Sequence, residues 1–250
     1  MNSFNPFSLE NKNILVTGAS SGIGKAVAIA CARMGASIVL NGRNVERLQE
    51  TFQEMPSGNH IVAPADILDS SSLNGLVNAM PSLDGVVHCA GVANRVPCKN
   101  ITQSDIDFVM RTNMNAPMLL QASLLSSKKI NKGASIVFIA SRAAESPSMG
   151  NAIYSASKGA LISYAKCLAL ELAPRLIRVN CICPGMVWTE LITKVLDEDT
   201  LREAEQKYPL KRFGRVEDIA NLVIYLLSAA SSWMTGESIN ISGGGEGVLV

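Results

Sequence analysis

Tyr154 and Lys158 stand four residues apart in the run Tyr154-Ser155-Ala156-Ser157-Lys158. In a helix of about 3.6 residues per turn, this spacing puts phenol and ammonium on one face. A free phenol titrates near pH ~10, and a neighbouring positive charge favours the phenolate and lowers that value. Such a pair can pass a proton near neutral pH, as reduction of a carbonyl or oxidation of an alcohol requires. Many surface helices carry the same interval, so the pair gains meaning only from what accompanies it.

Its positioning elements are legible as an alternation of short apolar runs and longer helical patterns. Strands are predicted at 14–17, 37–41, 60–64, 85–88, 135–140, 178–182 and 238–241, and helices at 22–34, 45–54, 70–79, 104–126, 151–172 and 216–228. Strands rich in Val and Ile alternating with helices imply a parallel sheet covered on both faces. About seven strands make one α/β domain over 1–250, doubly wound in the Rossmann manner, without internal repeat or linker. One stretch breaks the rhythm. Residues 189–215, beyond the Pro184-Gly185 turn, are polar and charged, with helical potential but little core. They follow the carboxyl end of a strand, where open parallel sheets bind ligands. A substrate lid and a passive surface excursion are both consistent with this.

Bulk properties exclude several function classes. A chain of 250 residues, 48% of them hydrophobic, builds its own core and needs no disulfide framework. A net charge of +1 does not suit a basic nucleic-acid groove, so no nucleic-acid partner is expected. No apolar run reaches the ~20 residues of a membrane span, and the first twelve residues lack a basic leader and an apolar signal core. A cytoplasmic protein that does not engage a membrane is expected. Cys181 and Cys183 would share one strand face, but no second Cys or His pair joins them, and His60 and His88 are the only histidines. Buried apolar cysteine is the reading, with no metal.

The first predicted strand runs into Thr17-Gly18-Ala19-Ser20-Ser21-Gly22-Ile23-Gly24 and then a helix. Glycines let backbone approach a pyrophosphate, and the helix amino terminus offers N–H groups and a positive dipole. At the end of the second strand, Asn41-Gly42-Arg43-Asn44 contains no acid to bind a ribose hydroxyl and repel a 2′-phosphate. Arg43 can clamp such a phosphate and stack on adenine, which favours NADP(H) over NAD(H). Asp66, beside Ile67 after the third strand, either accepts from the adenine amino group or caps the helix beginning at Ser70.

Ser141 follows the fifth apolar run, where its hydroxyl either forms a turn or polarises a substrate carbonyl. Asn113 lies on the core-facing seam of Ile106, Val109 and Met110, an unusual place for a polar residue. Pro117, four residues on, has no N–H to give the Asn113 carbonyl. That leaves either a plain kink or an acceptor for an ordered water under the site.

Taken in this order, the 17–24 turn, Asp66, Ala90-Gly91, Asn113, Ser141, Tyr154 with Lys158, and Pro184-Gly185 with Thr189 resemble the short-chain dehydrogenase/reductase family over nearly the whole chain. The resemblance implies that Tyr154 is the general acid in reduction, that Lys158 lowers its pKa and binds the nicotinamide ribose, and that Ser141 orients the carbonyl. It further implies that Asn113 holds the relay water, that Thr189 fixes the carboxamide, and that Val187 lies beside it. Gly18, Ser20, Ser21, Gly22, Ile23 and Gly24 would cradle the phosphates, with Arg43, Asn44, Asp66 and Ile67 toward the adenosine and Ala90, Gly91, Pro184 and Gly185 along the dinucleotide. Two departures stand out: His88-Cys89-Ala90-Gly91 where the family often has Asn-Asn-Ala-Gly, and Ser242-Gly243-Gly244 where Asp-Gly-Gly is common. The second is expected to alter a structural turn rather than the reaction centre.

Within the family, Pro209-Leu210-Lys211-Arg212-Phe213-Gly214-Arg215, then Glu217-Asp218-Ile219-Ala220 and Thr235-Gly236-Glu237, is similar to 3-oxoacyl-acyl-carrier-protein reductases of fatty-acid synthesis. Many sugar, polyol and steroid dehydrogenases share that ending. An acidic carrier protein would want basic residues at the cleft mouth, and Lys128, Lys129, Lys132 and Arg175 are candidates. A reductase of a small ketone, sugar or steroid, and a non-catalytic nucleotide-binding regulator, remain the alternatives. The family's homotetramers imply that helices 104–126 and 151–172 pair between subunits.

Overall fold

All seven predicted runs become strands in the computed structural model, which describes residues 5–193 and 197–245. They are β1 (Asn13–Thr17), β2 (Ser37–Gly42), β3 (Ile61–Pro64), β4 (Leu83–His88), β5 (Ile130–Ile139), β6 (Arg178–Pro184) and β7 (Ser238–Ile241). They form one sheet in the order β3-β2-β1-β4-β5-β6-β7, every pair parallel. The winding reverses between β1 and β4, and this switch point opens a crevice at the carboxyl edge.

Side-chain alternation splits the core into two layers. Leu15, Val86, Ile136 and Phe138 face one side, under α3 (Ser70–Ala79), α5 (Ala116–Ser126) and α6 (Ala152–Leu172). Val16, Val87, Val137 and Ile139 face the other, under α1 (Gly22–Arg33), α2 (Val45–Gln53) and α9 (Val216–Leu227). Gly85 lets α9 close on β4, since a Cβ there would lie 2.9 Å from Leu227 Cδ2. Cys181 and Cys183 are buried on one face of β6, in the first layer.

The helix predicted at 104–126 is interrupted. It comprises α4 (Gln103–Met110), a π-turn (Arg111–Asn115) and α5. Pro117 cannot close the ordinary four-residue bond to Asn113, and the turn widens so that the Ala116 N–H reaches the Arg111 carbonyl. Lys128, Lys129, Lys132 and Arg175 lie at the amino ends of β5 and β6, across the sheet from the crevice. Lys129 Nζ donates to the Met80 carbonyl at 2.6 Å, and Arg175 donates to that of Ile130. Lys129 and Arg175 stitch the lower edge together, and none of the four lines either hollow at the carboxyl edge.

Residues 189–215 also differ from expectation, with 194–196 of that segment outside the described residues. Short α7 (Glu190–Thr193) and α8 (Glu198–Lys207) enclose a core of their own, built from Leu201, Ala204, Tyr208 and Phe213 with Trp188 at its edge. Glu205 Oε1 accepts from Trp188 Nε1 at 2.9 Å and from the Phe213 N–H at 2.8 Å. This packing was hidden in the sequence because only four apolar residues, widely spaced among charges, compose it. Emptying it by Phe213→Ala should cost about 3–5 kcal/mol locally. Proteolytic cleavage within 197–215 should then accelerate while the main melting transition moves little; equal effects on both would mean that the segment has no separate core.

Candidate active site

α6 is a 21-residue helix that buries Ile153, Ser157, Leu161, Ala165 and Leu168 against the sheet. Tyr154 and Lys158 flank that stripe, one turn apart, as the spacing predicts. Lys158 is 5% exposed; its Nζ donates to the Ile139 carbonyl at 2.8 Å and stands 5.7 Å from the Tyr154 ring centroid. β5 therefore positions the lysine through backbone and the serine through chain order. Ser141, two residues past the end of β5, lines the same chamber as Tyr154 and accepts from the Ala143 N–H at 3.1 Å. It forms a turn and faces the phenol.

The electrostatics correct one expectation. Tyr154 is held above its ordinary value by desolvation, with the neighbouring Ser141 hydroxyl opposing, rather than drawn down by Lys158. Desolvation also pushes Lys158 down to about 8, because its ammonium has left water. Burial outweighs the cation here: the ammonium lies beyond hydrogen-bond reach of the ring and its proton is directed at a carbonyl.

Asn113 clamps the loop after β4. From the π-turn its Oδ1 accepts from the Val92 N–H at 2.8 Å, while Nδ2 donates to the Val92 carbonyl at 2.9 Å and to Ser157 Oγ at 3.0 Å. Ser157 in turn donates to the Tyr154 carbonyl at 2.7 Å. The polar residue on the core-facing seam is thus a fully engaged tie between β4, α4–α5 and α6. Ser157 carries that tie, and a serine at this point of an Ala-rich helix gives no sequence signal of it.

Two hollows meet over the carboxyl edge. A cleft of about 300 Å³ runs past Gly18, Ser20, Ser21, Gly22 and Gly24, reaches Arg43, Asp66 and Ile67, and passes Ala90. A chamber of about 270 Å³ holds Ser141, Tyr154 and Lys158. Ile23, Cys89, Gly91 and Thr189 line both. Pro184, Gly185 and Val187 line the chamber only. Asn44 lines neither, and its Oδ1 caps α2 by accepting from the Arg47 N–H at 2.8 Å. Asp66 is no helix cap either. Its Oδ1 accepts from the Leu68 N–H, and the cap of α3 is Asp69, accepting from the Ser72 N–H.

Comparison with known proteins agrees with this geometry. A family model described as enoyl-(acyl carrier protein) reductase matches residues 18–246. The chain belongs to the short-chain dehydrogenase/reductase family. It is 32% identical to a Rickettsia felis 3-oxoacyl-[acyl-carrier-protein] reductase FabG over 94% of this chain and 97% of that one. It is 34% identical to an L-xylulose reductase of Caenorhabditis elegans over 95% and 97%. A crystal structure of a short-chain type dehydrogenase/reductase from Mycobacterium marinum superposes with a TM-score of 0.89 at 31% identity, covering 97% of this chain and 98% of that one. The chain is therefore an oxidoreductase of a family that binds a nicotinamide cofactor. Among the described residues no helix is long and apolar enough to cross a membrane.

The residues present fit a dinucleotide. A Cβ on Gly18 would lie 3.0 Å from the Ala90 backbone, and one on Gly24 would lie 2.2 Å from the Gly18 carbonyl oxygen. Gly18 (φ +66°) and Gly22 (φ +51°) take left-handed conformations that glycine adopts without penalty. Ser21, the N-cap of α1, makes no side-chain capping bond, so that helix terminus presents backbone N–H groups to the cleft. Thr17 Oγ1 accepts from the Cys89 and Ala90 N–H groups at 3.1 and 3.3 Å, pinning the two strand ends side by side.

His88 is turned away from the cleft. Its ring stacks on Phe138 at 4.5 Å and Nε2 lies 3.2 Å from Gln121 Oε1. Burial pushes it down to about 4, from 6.5 in water. A depressed histidine contributes stability that is complete above pH ~6.5 and lost as pH falls through about 4, in total roughly 3 kcal/mol. Urea unfolding at pH 7 and pH 4 should show a loss smaller by about that amount in His88→Asn; an identical loss in both proteins would refute the assignment.

Proposed function

We propose that this chain is an NADP(H)-dependent reductase of ketones to secondary alcohols, with 3-oxoacyl thioesters as the leading substrates. The observation that carries the reading is that Tyr154, Ser141 and Lys158 line one chamber, which shares Ile23, Cys89, Gly91 and Thr189 with the glycine-turn cleft. A bound nicotinamide dinucleotide supplies the hydride. Ser141 and Tyr154 together receive the carbonyl oxygen, and Tyr154 gives it the proton. A phenol raised by burial stays protonated at neutral pH, which suits a donor; Lys158, 5.7 Å from the ring, stabilises the phenolate once the proton has left. Asn113 fixes the loop of Gly91 and Val92 against α6, and its backbone carbonyl is the place we assign to a relay water. Thr189, at the seam, would hold the carboxamide.

NADP(H) is favoured by Arg43, which lines the cleft where β2 ends in Asn41-Gly42-Arg43 without an acid. The thioester class is supported by relatives named for 3-oxoacyl-acyl-carrier-protein substrates. The chamber volume of about 270 Å³ favours a second reading, a short ketone such as a sugar, as does the L-xylulose reductase relative. We assign 189–215 as a lid: Arg47 on α2 and Glu190 on α7 form an ion pair at the edge of the cleft, and Leu191, Ile192 and Tyr208 line the chamber. A homotetramer is supported by the exposed Phe108 and Leu119 on α4 and α5 and by Trp233.

Tyr154→Phe should lower the rate of NADPH oxidation with acetoacetyl thioesters by about 10²–10⁴-fold while leaving NADPH binding intact. Unchanged turnover would remove the phenol from catalysis, and loss of both would assign it to binding. Arg43→Ala should raise the KM for NADPH about tenfold or more and that for NADH less than about twofold. Equal changes for both coenzymes would remove the NADP assignment.

A further inference from the structure

α6 begins without the usual fastenings. Its N-cap, Asn151, makes no side-chain capping bond, and no acid stands in the first turn. A helix start of that kind frays readily, because its first N–H groups lack an intrahelical partner and nothing there opposes the dipole. Tyr154 is the third residue of that turn, so fraying would carry the phenol with it. The turn is held instead from its buried side. Ser157, fully buried, donates from Oγ to the Tyr154 carbonyl at 2.7 Å and accepts from Asn113 Nδ2 at 3.0 Å. Asn113, also buried, is bonded to both backbone groups of Val92. The same junction borders the cation: a Cβ on Gly91 would lie 3.4 Å from both Asn113 Oδ1 and Lys158 Nζ. A serine that bonds a carbonyl of its own preceding turn is ordinary in a helix. This one also receives a buried amide from the π-turn, which makes the start of α6 part of the loop's framework.

We infer that Ser157 is a positioning residue for proton delivery: its hydroxyl passes the hold of Asn113 to the Tyr154 carbonyl and so fixes the phenol relative to the loop of Gly91 and Val92. The inference rests on carbonyl reduction at Tyr154 and adds the residue that aligns the donor. Ser157 lines neither hollow, so it acts only through the backbone of Tyr154. Alignment matters because a misplacement of about 1 Å can cost on the order of 10²-fold in rate.

Ser157→Ala removes the hydroxyl and leaves Asn113 bonded to Val92. With an acetoacetyl thioester, kcat should fall about tenfold or more, while the KM values for NADPH and thioester change less than about twofold. The solvent deuterium isotope effect on kcat should rise, because proton transfer becomes the slower step. Ser157→Thr, whose hydroxyl can bond the same carbonyl, should recover most of the rate. An unchanged kcat, a loss without a rise in the isotope effect, or an equal loss in the threonine variant overturns the inference. Hydrogen exchange reads the same hold without turnover. In Ser157→Ala the amides of 155–158 should exchange about tenfold or more faster, with those of 161–172 unchanged. Uniform acceleration along α6, or none, overturns it. If Ser157→Ala does not fold, both readings are taken on Ser157→Cys, whose thiol is a weak donor, and wild-type values there overturn the inference. If the wild type reduces no ketone but the local exchange difference is present, carbonyl reduction fails and the hold on the start of α6 stands.

Discussion

The β1–α1 turn lies against the backbone of Ala90 at a separation that leaves no room for a side chain. A Cβ on Gly18 would stand 3.0 Å from Ala90 Cα and N, and Thr17 Oγ1 closes the gap by accepting from the Cys89 and Ala90 N–H groups. This contact lies where the strand order reverses, so it decides how far the crevice opens and what reaches it. On one side, the α1 terminus and glycine turn face a cleft suited to phosphate; on the other, Gly91 and the Val92 loop lead to Tyr154. Glycine is required because backbone must meet backbone there.

Desolvation governs the chemistry that this crevice can support. Lys158 is buried and Tyr154 half-buried, and each is displaced toward its neutral form: the ammonium down to about 8, the phenol upward. A pair disposed in this way holds its proton on the phenol near neutrality, ready to be given rather than already lost. The hydrogen bond from Lys158 to the Ile139 carbonyl keeps the cation near the ring without placing it against the oxygen. Positioning also passes through a chain of ties. Val92 is held by Asn113, Asn113 by Ser157, and Ser157 by the Tyr154 carbonyl, so the π-turn and the helix that carries Tyr154 are mechanically one unit.

The chamber's outer wall comes from segments distant in sequence. Tyr208 and Pro209, at the end of α8, lie against the terminal glycine turn, where a Cβ on Gly245 would stand 2.1 Å from the Tyr208 ring and one on Gly244 2.9 Å from Pro209. Ser242 and Gly245 line the chamber themselves. The Ser242-Gly243-Gly244 departure from the family pattern therefore borders the chamber that holds Tyr154 as well as forming a structural turn. The glycines of this turn let Tyr208 and Pro209 pack directly against its backbone.

Much of this was legible in the chain alone. Strand positions, the parallel sheet, the glycine turn and the Tyr154–Lys158 helix follow from local periodicity and backbone requirements, which neighbouring residues express. The seam position of Asn113 already marked it as an unusual buried polar residue, and Pro117 already signalled an irregular turn. What only the tertiary structure decided depends on contacts between segments far apart in sequence. Burial reversed the direction of the Tyr154 shift; the partners of Asn113 turned out to be Val92 and Ser157; and Asn44 was spent on capping α2. The lysines before β5 fell at the wrong edge of the sheet, while Arg95, unremarkable in a loop, entered the chamber. Spacing along a chain encodes which face a residue takes. Dielectric surroundings and hydrogen-bond partners belong to the folded whole, because residues remote in sequence supply them.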